Sequence, residues 1–144
     1  MRTPHVTTYT DGGCDPNPGR GAWAALIIAD GKVSEFSGAD VQTTNNRMEL
    51  TAAIQALRSV KEGSEVDLYT DSTYLMKGMT EWMPKWLAKK WRGSSGPVLN
   101  KDLWQVLNVE TARHKVKWHW VKGHSTNRYN QRVDLLVQKA RNSL

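Results

Sequence analysis

Two short segments of the sequence end alike, in an aspartate that follows a tyrosine and a threonine. They are Tyr9-Thr10-Asp11 and Tyr69-Thr70-Asp71. Alternating residue types predict that each segment closes a β-strand, at about 5–11 and 65–71. If these strands are parallel neighbours, both carboxylates project from the carboxyl edge of one sheet, where open α/β sheets bind ligands. The alternative is that each aspartate caps a turn or a helix.

A third carboxylate, Glu49, lies in a helix predicted at about 45–61. Apolar side chains recur along this segment with helical spacing, and Glu49 falls in their sector. A buried carboxylate is costly unless it meets a cation or hydrogen-bond donors. The alternative is a capping glutamate, because Asn46 followed three positions later by Glu49 matches a capping box.

Asp134, a fourth carboxylate, lies beside the apolar stripe of a closing helix predicted at about 130–142. Taken alone, it is a first-turn acid that the helix dipole favours. The polar loop before this helix contains His124, and a lone loop histidine is usually solvated. Carboxylate oxygens suit Mg²⁺, and two such ions about 3.5–4 Å apart can bracket an attack on a phosphodiester.

The charge of the chain is unevenly distributed. The 144 residues carry a formal net charge of +6. Residues 1–76 hold 6 basic and 10 acidic side chains, whereas residues 77–144 hold 14 and 4. Clustered Lys and Arg are typical of a protein that binds a polyanion, and a basic surface kept for solubility is the alternative. We expect the acidic part to hold metal and the basic part to hold nucleic acid.

The densest basic tract lies between Lys77 and Lys101, with six basic residues and one acid. Tryptophans and lysines interleave within it: Trp82, Lys85, Trp86, Lys89, Lys90 and Trp91. Lysines that flank aromatic rings suit contacts with phosphates and a sugar–phosphate groove. Because Trp82 and Trp86 share a helix face, the alternative is that the rings pack on the domain.

Three asparagines complete the polar set. Asn45 and Asn46 open the helix that contains Glu49, and Asn17 lies in the loop after the first strand. Amides can contact base edges or a 2′-hydroxyl, which distinguishes RNA from DNA. Helix capping is the alternative, and it explains one of the adjacent pair at most.

The elements that must position these side chains follow from periodicity and from breaker residues. We predict strands at 5–11, 22–29, 32–42, 65–71 and 116–121, and helices at 45–61, 73–80, 85–91, 101–112 and 130–142. Residues 12–19 are rich in glycine and proline and are predicted to form a loop. The helix between the third and fourth strands implies a crossover that sets strand four parallel to strand one. The fold class is therefore α/β, with one mixed sheet and helices on its faces.

Composition excludes several classes of protein. With 39% apolar and 24% charged residues, the chain is near the average for soluble domains. No apolar run approaches the roughly 20 residues of a membrane span, and the first residues lack the apolar stretch of a signal peptide. The single cysteine, Cys14, excludes an intramolecular disulfide and a cysteine-built zinc site. We expect one domain over 1–144 and a cytoplasmic location.

Taken in order, these motifs resemble the bacterial type I ribonuclease H family. The resemblance runs through nearly the whole chain, and two strings carry it most specifically: Thr43-Thr44-Asn45-Asn46-Arg47-Met48-Glu49-Leu50 and Trp118-His119-Trp120-Val121-Lys122-Gly123-His124. The Asp11-Gly12-Gly13-Cys14 and Asn130-Gln131-Arg132-Val133-Asp134 segments match as well.

The resemblance implies a ribonuclease H-like fold, with a five-stranded mixed sheet and helices on both faces. It implies an endonuclease that cuts the RNA strand of RNA–DNA hybrids and leaves 5′-phosphate and 3′-hydroxyl ends. The implied metal ligands, for two Mg²⁺ ions with substrate or alternatively for Mn²⁺, are Asp11, Glu49, Asp71 and Asp134.

Other roles are implied for residues around these ligands. His124 would assist proton transfer or product release. Contacts with the hybrid would come from Cys14, Asn17, Thr44, Asn45 and Asn46, with Thr44 near a DNA phosphate. The tract 82–91 would be the family's basic handle, within a region at about 80–100. We expect a monomer that does not bind membranes.

The sequence departs from the family pattern at several positions. Gly13 replaces a frequent serine, and Thr73 stands where a base-contacting glutamine is common. In the closing helix, Gln131, Leu135 and Val137 differ from the usual residues, and two acids near the metals are lost. The four implied ligands remain, so we expect activity. The rival functions are a module that binds hybrids without cutting them and a nuclease that cuts DNA junctions.

Overall fold

The structure, a computed structural model, describes residues 3–93, 96–123 and 127–144. The strands are β1 (His5–Cys14), β2 (Gly19–Ala29), β3 (Lys32–Thr43), β4 (Glu65–Thr70), β5 (Arg92–Gly93), β6 (Gly96–Pro97) and β7 (Lys115–Trp120). The helices are α1 (Asn45–Arg58), α2 (Thr73–Lys77), α3 (Met83–Ala88), α4 (Lys101–Ala112) and α5 (Arg128–Asn142), and a π-helical turn, Gly78–Trp82, joins α2 to α3.

The main sheet has five strands in the order β3-β2-β1-β4-β7. Strands β1, β2 and β3 form an antiparallel meander, whereas β4 lies parallel to β1 and β7 lies parallel to β4. The mixed sheet and the parallel pairing across the crossover confirm the prediction. The short strands β5 and β6 pair only with each other.

The register between β1 and β4 brings the two predicted strand ends together. Tyr9 pairs with Tyr69, and this is the last pair of the parallel ladder. Asp11 follows Tyr9 by two residues within β1, and Asp71 follows Tyr69 by two residues, directly after β4. Both aspartates therefore reach the same edge of the sheet, as the matched tripeptides predicted.

Helices cover both faces of the sheet. On one face, α1 and α4 form a core with β4, whose fully buried members include Leu50, Leu57, Leu68, Trp104 and Leu107. On the other face, α5 packs Val133 and Val137 against Tyr9, Ala24 and Leu26. Burying each large apolar side chain contributes about 1.5–3 kcal/mol, so both layers stabilise the sheet that carries the aspartates.

The end of β1 differs from the prediction because a neighbouring strand supplies hydrogen bonds. Strand β1 continues through Cys14, so the loop predicted to begin at residue 12 was wrong for 12–14. Gly12 and Gly13 pair with Trp23 and Ala22 in β2. By themselves two glycines favour a turn, but the hydrogen bonds of this ladder keep them in an extended conformation. Helix α1 ends at Arg58, three residues before the predicted end at 61.

The helices predicted at 73–80 and 85–91 form one continuous helical segment from Thr73 to Ala88. It stops before residue 91 because Lys90 and Trp91 have positive φ angles of 52° and 67°, which a right-handed helix cannot contain. Helix α4 has its predicted bounds.

None of the helices in the described parts of the chain combines the length and the apolar character that a membrane span requires.

Candidate active site

Three of the four predicted carboxylates meet at one point. Asp11 comes from β1, Glu49 from α1 and Asp71 from the segment after β4, and each offers an oxygen that lies within 4.8 Å of the others. Asp11 is 6% exposed and Glu49 is 9% exposed. A cluster of oxygen ligands at this spacing suits a hard divalent cation.

Gly12 sets the distance between the strand and helix that carry two of these carboxylates. A Cβ atom at Gly12 would lie 2.3 Å from the backbone carbon of Met48 and 2.4 Å from the nitrogen of Glu49. Only glycine allows so close an approach of the two backbones. The Gly12 backbone also hydrogen-bonds to the carboxylates of Asp11 and Glu49.

Glu49 does not cap its helix. The N-cap of α1 is Thr44, whose Oγ1 accepts a hydrogen bond from the backbone nitrogen of Arg47 at 3.2 Å. The capping-box interpretation of Asn46 and Glu49 was therefore wrong, because the helix starts one residue before Asn46. Within the described residues, the buried Oε1 of Glu49 has no hydrogen-bond partner. An unpaired buried carboxylate oxygen is costly, and a bound cation would satisfy it.

Burial and mutual repulsion raise the pKa values of two carboxyl groups in the cluster. Burial, followed by the charges of Asp71 and Asp134, raises the pKa of Asp11 from 3.8 to about 8. Burial, followed by the charges of Asp11 and Asp71, raises the pKa of Glu49 well above its usual value. Protons therefore compete with a cation for these oxygens in neutral solution.

Asp134 lies at the margin of the cluster. Its side chain hydrogen-bonds to that of Asp11, and its Oδ2 accepts a hydrogen bond from Nε2 of Gln138 at 3.1 Å. It is half-buried on α5 and stands outside the group of three mutually close carboxylates. The fold thus brings the fourth predicted ligand to Asp11 from α5, which packs on the face of the sheet opposite to α1.

His124, predicted to act in proton transfer or product release, lies outside the described residues. The segment that leads to it passes beside the cluster, because a Cβ atom at Gly123 would lie 3.5 Å from Oδ2 of Asp71. Gly123 therefore lies beside the carboxylate of Asp71.

The predicted substrate contacts at the start of α1 form one hydrogen-bonded group. The Cys14 backbone nitrogen donates to Oδ1 of Asn45 at 2.6 Å, and the Asn45 nitrogen donates to Oδ1 of Asn17 at 3.2 Å. Both asparagines are exposed. The Cys14 thiol is buried and donates to the backbone oxygens of Pro16 and Thr43 at 3.1 and 3.3 Å. Cys14 therefore supports the two exposed amides rather than presenting its thiol.

Asn46 is half-buried in the first turn of α1, beside the half-buried Thr44. Both lie at the end of α1 nearest Glu49, so the predicted contacts of the hybrid and the predicted metal ligands share one helix terminus.

The predicted handle separates its rings from its charges. Trp86 contacts Trp104 with ring centroids 5.2 Å apart, and Trp82 contacts Tyr74 at 5.7 Å. The handle lysines are exposed: Lys85, Lys89 and Lys90. The rings are half-buried and pack on the domain, as the alternative interpretation proposed. The lysines remain available to a polyanion.

Sequence reasoning assigned no role to Arg47, which ties α1 to α4. Its guanidinium donates to both carboxylate oxygens of Asp102, at 3.0 and 2.8 Å, and to Oδ1 of Asn100 at 3.3 Å. Asn100 in turn donates to the hydroxyl of Tyr74 at 3.0 Å. No local pattern could have found this link, because its partners lie more than 50 positions apart.

Known proteins resemble the chain along almost its entire length. A family model of RNase H matches residues 3–142. The chain is 54% identical to a ribonuclease H of Hahella chejuensis over 133 residues, which cover 92% of this chain and 90% of that protein. It is 50% identical to a ribonuclease HI of Pseudomonas aeruginosa over 135 residues, with 93% and 91% covered.

Solved structures give the same picture of the fold. LC9-RNase H1, a type 1 RNase H with the type 2 active-site motif, superposes with a TM-score of 0.88 at 29% identity, covering 99% of this chain and 74% of that one. LC11-RNase H1, solved in complex with an RNA/DNA hybrid, superposes with a TM-score of 0.74 at 22% identity, covering 96% and 97%. The latter likeness concerns the fold alone.

Proposed function

Because the chain belongs to the RNase H family, we propose that it is an endonuclease that hydrolyses the RNA strand of RNA–DNA hybrids. In this proposal the products carry 5′-phosphate and 3′-hydroxyl ends. The observation that supports it best is the cluster of Asp11, Glu49 and Asp71 at the sheet edge. A module that only bound hybrids would have no use for this buried and costly group of acids.

The residues present fit a divalent cation. The orphaned Oε1 of Glu49 and the raised pKa values of Asp11 and Glu49 describe oxygens that no cationic group among the described residues neutralises. We propose that Asp11, Glu49, Asp71 and Asp134 hold two Mg²⁺ ions with substrate, with Mn²⁺ as the alternative. Such ions, when bound, activate the attacking water and stabilise the leaving oxygen.

The protein side chains then have separate tasks. The Gly12 backbone holds the carboxylates of Asp11 and Glu49 in place with hydrogen bonds, so they need little reorganisation during the reaction. Asp134 approaches Asp11 from α5 and completes the ligand set. We assign His124, which follows Gly123 in the sequence, to proton transfer or product release.

Substrate selection is proposed to depend on the amides of Asn17 and Asn45 and on the handle lysines. Asn17 and Asn45 are exposed, and the Asn45 backbone nitrogen donates to Oδ1 of Asn17, so both side-chain amides can contact the 2′-hydroxyls and base edges of a hybrid. Thr44 and Asn46 lie at the start of α1, and Cys14 ends β1 beside it; in this proposal Thr44 lies near a DNA phosphate. The exposed handle lysines contact phosphates, and Trp82 and Trp86 support them.

A cleavage assay on labelled substrates tests the proposal. We expect the protein with Mg²⁺ to cut the hybrid, and not duplex RNA or duplex DNA of the same sequence. Asp11→Asn should abolish cleavage while hybrid binding survives. The matched control is Asp30→Asn, at the turn between β2 and β3 on the far edge of the sheet, which should cleave normally. Its φ of 52° suits asparagine as well as aspartate.

Other outcomes of the same assay would favour the rival functions. Binding of the hybrid without any cleavage would favour the binding module, and cutting of DNA junctions would favour the other nuclease. Full activity of Asp11→Asn would refute the site assignment itself.

We further propose that residues 1–144 form one catalytic domain that acts as a monomer in the cytoplasm. Its support is that both apolar layers pack on the same five-stranded sheet. Light scattering during gel filtration should give a molar mass near 16.3 kDa, and twice that mass would contradict the monomer.

A further inference from the structure

A row of stacked aromatic rings crosses the sheet beside the carboxylate cluster. The rings of Tyr9 and Tyr69 stack with centroids 4.7 Å apart and planes 14° apart, and Tyr69 stacks on His119 at 4.5 Å and 15°. Tyr129 of α5 lies at the other end, 5.2 Å from Tyr9. The strands β1, β4 and β7 each contribute one ring, so the spacing of the centroids matches the separation of neighbouring strands, about 4.8 Å.

The aromatic row lies on the same face of the sheet as the Asp11 carboxylate. Asp11 follows Tyr9 by two residues within β1, and side chains two apart in a strand project to the same face. Asp71 lies within 4.8 Å of Asp11 in the cluster, and it follows Tyr69 by two residues. The row therefore runs alongside the site of cleavage, roughly 7 Å toward the other edge of the sheet.

The row has an open end at His119. Strand β7 is the edge of the sheet, and α5 packs on β1, β2 and β3. One face of the imidazole is against Tyr69 and its Nε2 is 2.7 Å from Oδ1 of Asp67, yet 38% of the side chain is exposed. Among the described residues, no ring stacks on its outer face. One more planar group can continue the row there.

The charged residues around His119 indicate which kind of planar group stacks there. Lys115 and Lys117 are exposed and alternate with His119 along β7, so all three lie on one face of the strand. Glu65 and Asp67 stand opposite the lysines on β4, and Asp67 is engaged by the imidazoles of His5 and His119. An aromatic platform flanked by lysines is typical of sites for single-stranded nucleic acid.

We propose that His119 is a stacking platform for an unpaired base of the RNA strand, where that strand continues beyond the end of the hybrid. This inference rests on the proposed function, which brings the RNA strand to the carboxylates. A paired base is enclosed by its neighbours in the duplex, whereas an unpaired base presents a free ring face. Lys117, the nearest lysine along β7, contacts the phosphate of the stacked nucleotide.

The test compares hybrids of one sequence that are blunt or that carry a short RNA overhang at the 5′ or the 3′ end. One stacked base strengthens binding by roughly fivefold or more. We expect the protein to show a KM lower by about that factor for one overhang polarity, relative to the blunt hybrid. His119→Ala should bring this ratio to near one, and His119→Phe, which keeps a ring, should restore it.

A matched control separates stacking from the hydrogen bond to Asp67. His5→Ala removes the other imidazole on Asp67 without touching the row, and it should retain the preference for the overhang. Loss of the preference in His5→Ala as in His119→Ala would overturn the inference. So would a wild-type protein that shows no preference, or a phenylalanine variant that behaves like alanine.

A binding measurement makes the inference independent of cleavage. With 2-aminopurine as the first unpaired base and no divalent metal, its fluorescence should be quenched by the wild type and by His119→Phe, but not by His119→Ala. Absence of quenching by the wild type overturns the platform. Failure to cleave the blunt hybrid with Mg²⁺ would instead count against the proposed function.

Discussion

Gly12 touches the helix that carries Glu49: a Cβ atom on Gly12 would be 2.4 Å from the Glu49 nitrogen. This contact between two backbones sets the distance from Asp11 on β1 to Glu49 on α1. The position of the Glu49 carboxylate therefore depends on a residue that has no side chain.

The first prediction concerns this contact. Gly12→Ala should destabilise the protein by about 2–3 kcal/mol and abolish cleavage, because β1 and α1 must separate. Gly13→Ala is the matched control, since its Cβ would meet only Cγ1 of Val137 at 3.5 Å, an ordinary contact. Urea unfolding and the cleavage assay measure the two effects. Equal stability of the two variants would contradict the account of Gly12.

The second prediction concerns pH in the absence of metal. The pKa of Asp11 is raised to about 8 in the folded protein. The folded protein therefore keeps a proton on this carboxyl group at pH values where the unfolded chain, with a pKa near 3.8, has released it. The stabilisation is complete below about pH 4 and is lost as the pH rises toward 8. In EDTA, the free energy of unfolding should therefore fall across this interval.

Asp11→Asn removes that titration. It should be more stable than the wild type at pH 8 in EDTA, on the order of 5 kcal/mol, and the difference should shrink toward pH 4. Mg²⁺ at pH 8 should stabilise the wild type more than the variant. Urea unfolding at several pH values tests this, with Asp30→Asn as the control that follows the wild type. Parallel curves for all three proteins would rule out the titration of Asp11.

The third prediction concerns the handle. Replacing Lys85, Lys89 and Lys90 by alanine should weaken hybrid binding and flatten its salt dependence by nearly one unit per lost phosphate contact. All three lysines are exposed, so the fold should be unaffected. Fluorescence anisotropy at increasing salt concentrations gives the slope.

A control for the handle keeps the change in charge the same. Alanine at three exposed lysines elsewhere, namely Lys32, Lys61 and Lys139, removes equal charge from other parts of the surface. This variant should keep the wild-type slope to within a fraction of a unit. If both triple variants lost the same slope, net charge rather than the handle would explain binding.

The fourth prediction concerns how the handle joins the core. A Cβ atom on Gly78, in the π-helical turn, would lie 2.0 Å from Cη2 of the fully buried Trp104. Gly78→Ala should lower the free energy of unfolding by about 3 kcal/mol, because the added methyl group and the buried indole of Trp104 would occupy the same space. Combining it with Trp104→Phe, which removes the clashing ring atoms, should cost less than the sum of the single changes. Simple additivity would show that the two residues do not meet.

The sequence alone was enough to predict most elements and the convergence of the acids. Alternation located β4, helical spacing placed Glu49 on the buried side of α1, and the crossover rule made β1 and β4 parallel. These signals are local, because they follow from the period of one element or from the handedness of one connection. They were sufficient to pair Asp11 with Asp71.

Only the tertiary structure decided how those elements meet. The ladder with β2 extends β1 through Gly12, Thr44 rather than Asn46 caps α1, and Arg47 reaches Asp102 across 55 positions of sequence. The stack that ends at His119 depends on the register of three strands. Each of these contacts joins residues distant along the chain, and their geometry depends on register and close packing, which a periodic pattern does not encode.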